Sequence, residues 1–96
     1  MKIESYQDLY VWQKSMDLVQ IIYNLVKLLP KDEIYVLSNQ MRRAVISIPS
    51  NIAEGQSRYS RKEFINFLSI AQGSNAELNT QILICEQLNY FEPDQV

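Results

Sequence analysis

No histidine occurs anywhere in the 96 residues, which removes the commonest general base, metal ligand and pH-responsive group. The single cysteine, Cys85, has no partner for an intrachain disulfide and no neighbours for a thiolate metal site. Two glycines cannot build a glycine-rich phosphate loop, and with only three prolines they imply few turns and long elements. No apolar run approaches the roughly 18 residues that cross a bilayer, and the N-terminal MKIESYQDLY lacks the apolar core of a secretion signal. The expectation is a cytoplasmic protein with no membrane association, no metal and no cofactor. An enzyme would have to use Glu54, Glu63 or Glu77 with an arginine and Ser47 or Ser50. That set has no activated nucleophile and no tuned base, so a non-enzymatic role is expected.

What is present is a globular composition, 47% hydrophobic and 21% charged, of a length that makes one domain over residues 1–96. Ser5 and Asp8 read as a capping box, followed by apolar stripes at helical spacing (Leu9, Trp12, Met16, Val19, Tyr23, Val26, with Val11, Leu18, Ile22, Leu25, Leu29 beside them). Pro30 closes this first helix, expected over about 6–29. Asp32 is the expected N-cap of a second helix over about 33–54, with Ile34, Leu37, Met41, Val45, Ile48 and Ile52 as its core stripe. Pro49 predicts a kink rather than a break, because the apolar spacing runs straight through it. Gly55 fits the left-handed position past a helix end. Ser60 to Glu63 is a second capping box opening a third helix over about 61–89, with Cys85 on its apolar stripe as a small buried hydrophobe. Glu92-Pro93-Asp94 reads as the start of a fourth helix cut to a stub before Val96. The fold class is all-α, an antiparallel up-down bundle of the four-helix type with that truncated last helix.

The formal net charge of -2 hides an asymmetry, since Arg42, Arg43, Arg58, Arg61 and Lys62 face only Glu54 between Ser38 and Lys62. That segment is +4 and leaves -6 for the rest of the chain. These five cations can present a phosphate-binding surface at the end shared by the second and third helices, guanidinium groups matching phosphate oxygens in pairs. The plainer reading is that they pair with acidic residues of the same or a neighbouring subunit. Tyr35 and Tyr59 can stack on bases or simply cover a core edge. Gln40, Asn51, Glu54, Ser74 and Glu77 are expected to form a polar layer between the second and third helices, Glu77 pairing with Gln40, Arg42 or Arg43. Beyond them, the two stripes of the first helix and Ile70, Ile84 and Leu88 of the third predict an apolar groove where a fourth helix would lie, and hence self-association.

The strings E-I-Y-x-L-x-x-Q-x-R-R-A, S-I-P-S-N-I-A-E-G, R-x-S-x-x-E-F and F-L-x-I-A-x-G-S-x-x-E-L, with L-x-x-W near the start, resemble those of a known family. It is the family of bacterial four-helix bundle proteins encoded in intervening sequences of large-subunit ribosomal RNA genes, and the resemblance runs from Tyr6 to Tyr90. The chain is also similar to the accessory proteins of diversity-generating retroelements, ring-shaped homopentamers that engage nucleic acid and a reverse transcriptase. The resemblance implies a homo-oligomeric bundle, with a pentamer as one form, associated with RNA or DNA. A purely protein-binding oligomeric scaffold is the alternative.

Overall fold

The computed structural model describes residues 5–91. Among these, three α-helices, α1 (Tyr10–Val26), α2 (Leu37–Ser57) and α3 (Arg61–Gln87), are joined by short segments that include 3₁₀ turns at Tyr6–Asp8 and Lys31–Glu33. The described residues contain no strand. The molecule is a rod of 44 × 21 × 19 Å. Its long axis matches the roughly 40 Å that the 27 residues of α3 span at about 1.5 Å each. The expected stub at Glu92-Pro93-Asp94 lies outside the described residues.

The helix ends differ from those the sequence predicts, each for a local reason. The Ser5–Asp8 capping box forms, but it caps the 3₁₀ turn, because Leu9 is extended and breaks the helix there. The break folds Tyr6 back on Trp12, their rings edge to face with centroids 5.3 Å apart. α1 stops at Val26 rather than Leu29, its last turn tightening into i→i+3 bonds from Leu28 to Leu25 and from Leu29 to Val26. Asp32 does not cap α2, since Pro30 precedes a 3₁₀ turn and α2 starts only after Val36, whose φ of -120 and ψ of -96 turn the chain. Ile34, left in that connection, is 44% exposed rather than a core residue. α2 runs through buried Pro49 as the spacing predicts and continues past Glu54 to Ser57. Gly55 is therefore helical and not left-handed; the left-handed residue of the turn is Tyr59, at φ 56.

The far end of α3 carries a stop signal at Asn89, where the sequence pattern predicts continued helix. Asn89 takes the left-handed conformation at φ 63, its N–H reaching the Glu86 carbonyl and that of Tyr90 reaching Cys85. This is a Schellman closure with asparagine at the position glycine usually takes. It turns the chain so that Phe91 is buried and the Tyr90 hydroxyl donates to Glu33 Oε2 at 2.6 Å.

α2 is the middle of the molecule, because α1 and α3 each pack along it and touch one another little. Its Met41, Ala44, Val45, Ile48 and Ile52 meet Ile22, Leu25 and Val26 of α1 and Ala71, Leu78 and Cys85 of α3 in one core. Each large aliphatic side chain buried in this way contributes about 1.5–3 kcal/mol. Contacts between α2 and α3 pair Gly55 with Phe67, Ser47 with Ser74 and Met41 with Cys85, so residue numbers run in opposite order along the two helices.

Two glycines in helices separate packing from propensity. A Cβ on Gly55 would lie 2.7 Å from the Phe67 Cβ, whereas one on Gly73 would meet no heavy atom within 4 Å. Alanine is favoured over glycine in a helix by about 1 kcal/mol, and overpacking costs about 1–3 kcal/mol. Gly73→Ala should therefore raise the melting temperature by several degrees and Gly55→Ala should lower it, as read by circular dichroism. Equal shifts would show that Gly55 is not a helix contact.

Cys85 predicts an alkaline limit to stability. Burial pushes its thiol from the ordinary 9.0 up to about 11, with Glu33 and Glu86 adding to the rise. The Tyr90 hydroxyl moves the same way, chiefly because it donates to Glu33. An unfolded chain releases the Cys85 proton from about pH 9, while the folded chain holds it to about 11. The unfolded state thus binds fewer protons in that window, and stability is constant below it and falls as pH rises through it. The loss reaches at most about 3 kcal/mol and appears as a falling melting temperature, with thiol reagents labelling Cys85 only on unfolding.

Candidate nucleic-acid interface

The turn between α2 and α3 is built to display side chains. Arg58 ends α2 in helical geometry, Tyr59 turns left-handed, and extended Ser60 caps α3 by accepting from the Glu63 N–H at 3.3 Å. A non-glycine residue in the left-handed region costs about 1–2 kcal/mol. Tyr59 buries nothing in exchange, being 93% exposed. Arg58 is anchored on its own side, pairing with Glu54 at 3.6 Å and lying over the Phe67 ring at 5.2 Å. With both partners about half exposed, that pair is worth under about 1 kcal/mol and serves mainly to aim the guanidinium. Arg61 and Lys62 are exposed in the first turn of α3, where cations oppose the helix dipole by about 0.3–1 kcal/mol each. Strain at Tyr59 and two cations at the unfavourable helix end are two local rules broken within four residues.

Arg42 and Arg43 do not join this patch. Sixteen positions of helix separate Arg42 from Arg58, about 24 Å along the axis. Arg43 is exposed on α2, and half-buried Arg42 belongs to a different cavity. The expected five-residue surface is thus a turn cluster of Arg58, Arg61 and Lys62 plus a separate arginine pair.

The expected polar layer is smaller and differently made. Ser47 Oγ and Ser74 Oγ lie 2.8 Å apart, and Asn51 Nδ2 donates to the Ser47 carbonyl at 2.7 Å and to Ser47 Oγ at 2.9 Å. Gln40, Glu54 and Glu77 are exposed and stand outside it. Glu77 pairs with none of Gln40, Arg42 and Arg43; it accepts from Gln81 Nε2 at 3.2 Å on its own helix. The reason is helical phase, since Glu77 precedes the core residue Leu78 and so falls off the face that meets α2.

Sequence reasoning missed two polar features because neither has a motif. One is Gln81, 7% exposed on an otherwise apolar stripe, whose Oε1 has no hydrogen-bond partner. The other is the cavity of about 490 Å³ where Lys27, Lys31 and Arg42 converge with Ser38. The spacing of Lys27 and Lys31 across Pro30 is its only trace in the sequence.

A buried acceptor left without a donor costs about 1–3 kcal/mol, so Gln81→Met, which keeps the length and drops the carbonyl, should raise the denaturant midpoint. A lower midpoint would show that the carbonyl is satisfied in the working form of the protein.

Among the described residues no helix is long and apolar enough to cross a membrane, and no group of three acidic or cysteine side chains is placed to hold a metal. No curated protein compared with the chain matches it. The model of one family, described as 23S rRNA-intervening sequence protein, matches residues 7–96 and so takes in all three helices and the turn between α2 and α3. The chain belongs to the 23S rRNA-intervening sequence protein family.

Proposed function

We propose that this protein is a non-enzymatic helical module, an antiparallel bundle unit of the four-helix type, that self-associates and holds nucleic acid by its phosphates at the α2–α3 turn. The observation that carries the nucleic-acid reading is Tyr59, held left-handed and 93% exposed between Arg58 and the Arg61–Lys62 pair. An aromatic face flanked by cations is what a flexible, phosphate-bearing strand needs: stacking that tolerates any base, and charge that needs no sequence.

Self-association rests on a groove and a ridge on opposite sides of α3. A cavity of about 330 Å³ runs between α1 and α3 over Ile48 and Ile52, walled by Val11, Leu18 and Leu68. This is where a fourth helix of a bundle would lie. Ile70, Ile84 and Leu88, expected to line that groove, instead form a stripe exposed by 40–48% on the other side of the helix. Leu68 and Ile70, two positions apart, point about 160° apart round α3. Groove on one side and ridge on the other suit head-to-tail contact between copies, which closes into a ring when the rotation allows.

The nucleic-acid reading is tested by electrophoretic shift of structured RNA and of duplex DNA at 50 and 200 mM salt. Three phosphate contacts predict about a 40-fold loss of affinity between these salts. Arg61→Glu/Lys62→Glu should abolish binding with an unchanged melting temperature, and it leaves the Arg58–Glu54 pair in place. Unchanged affinity in that variant would reject the turn, and no shift with either nucleic acid would leave the scaffold reading. For self-association, light scattering after size exclusion should give an oligomer that Val11→Glu, at a half-exposed groove position, reduces to a folded monomer. A monomeric wild-type chain would reject it.

A further inference from the structure

The cavity at the far end of α2 from the basic turn combines features that the nucleic-acid reading does not use. Three cations from three segments line it: Lys27 from the end of α1, Lys31 from the 3₁₀ turn and Arg42 from α2. Among the described residues no acidic side chain lines it. The two acids beside Lys31 in sequence, Asp32 and Glu33, are not among the lining residues, and Glu33 accepts from the Tyr90 hydroxyl at 2.6 Å. Ser38 also lines the cavity and is 3% exposed, yet its hydroxyl takes part in none of the hydrogen bonds of the described residues. Ser38 belongs to the first turn of α2, a 21-residue helix that begins with no side-chain cap and no acidic residue in that turn. The positive end of its dipole is therefore uncompensated, and amide donors at its start are left without side-chain acceptors.

We infer that this cavity is a binding site for a phosphate group, which Lys27, Lys31 and Arg42 neutralise while the Ser38 hydroxyl and the first amides of α2 donate to its oxygens. A helix start supplies donors and dipole but no net charge, and the three side chains add what it lacks. The volume of about 490 Å³ exceeds what a bare phosphate needs and lies in the range of small-ligand sites, and Val26 and Leu29 give it an apolar floor. Phosphate is the shared chemistry, whether it comes free or carried on a nucleotide. The site is separate from the turn and stands whether or not the turn binds nucleic acid.

Isothermal titration of the intact chain with inorganic phosphate, at constant ionic strength set by chloride, tests it. Saturable binding of one phosphate per chain is expected. Lys27→Gln/Arg42→Gln should weaken it by about tenfold or more, because each charge-assisted bond is worth at least that factor. Ser38→Ala, a substitution that a helix tolerates, should weaken it several-fold without lowering the melting temperature. Arg61→Gln/Lys62→Gln should leave it unchanged, which separates this site from the turn. Parallel titrations with adenosine monophosphate and with adenosine identify the source. Tighter binding of the monophosphate than of phosphate points to a nucleotide, and equal binding points to free phosphate. No saturable phosphate binding at tens of millimolar, binding that the cavity variants leave intact, or adenosine binding as tightly as its monophosphate would each overturn the proposal.

Discussion

The contact on which the arrangement depends is that of α2 with α3 at Gly55, where the missing side chain lets Phe64 and Phe67 approach the helix backbone. α2 must accept α1 and α3 at once, and it does so by presenting side chains that are small or tightly satisfied wherever a neighbour comes close. Ala44 is buried in the core, Ser47 shares its hydroxyl with Ser74, and Asn51 turns its amide back onto Ser47 instead of projecting outward. Its large buried aliphatic side chains form the line of Met41, Val45, Ile48 and Ile52 in the shared core. A helix buried on two sides has little surface left for solvent, which is why its charged residues gather towards its ends.

That segregation connects fold to function. At the C-terminal end of α2 the chain must reverse within three residues, and the reversal leaves Tyr59 and the cations around it on display. At the N-terminal end the helix begins without a cap, and Lys27, Lys31 and Arg42 surround the opening. The net negative charge of the chain lies outside both places, so each can attract anions although the whole molecule does not. Between the two ends, the sides of the rod carry the apolar groove and the apolar ridge. The proposed function would use these surfaces separately, the apolar flanks for copies of the chain and the cationic tips for phosphate.

How far the sequence foretold this can be judged residue by residue. Three helices, the Ser60 cap and the core line of α2 are visible because periodicity and capping chemistry are local, and the passage of α2 through Pro49 follows from uninterrupted spacing. The break at Leu9 is not legible in the sequence, because it goes with Tyr6 packing on Trp12, a contact between side chains that propensity does not see. Gly55 shows a related limit: its sequence context suits a helix end, and only the approach of Phe67 from another helix shows why glycine is needed inside one. Charge counting grouped Arg42 with Arg58, whereas helical rise sets them at different ends of the rod. The Ser38 cavity was out of reach, since Lys27, Lys31 and Arg42 meet only after the chain turns at Pro30.

The basic turn is weak as a single site, and its geometry suits repetition. Three cations on one short turn, one of them already paired with Glu54, offer a strand few phosphate contacts, and a chain of net charge -2 adds no general attraction. In a ring joined groove to ridge, every copy presents the same turn at a fixed spacing, and the second and later contacts become intramolecular. Linked sites of this kind gain about 10²–10⁴ over one site without any new contact. The salt dependence multiplies with the number of turns engaged, because each phosphate neutralised releases its own counterion. On the proposed function, oligomerisation through the apolar flanks would be what turns a modest cationic turn into a nucleic-acid surface, and loss of the ring should weaken binding even where every cation is intact.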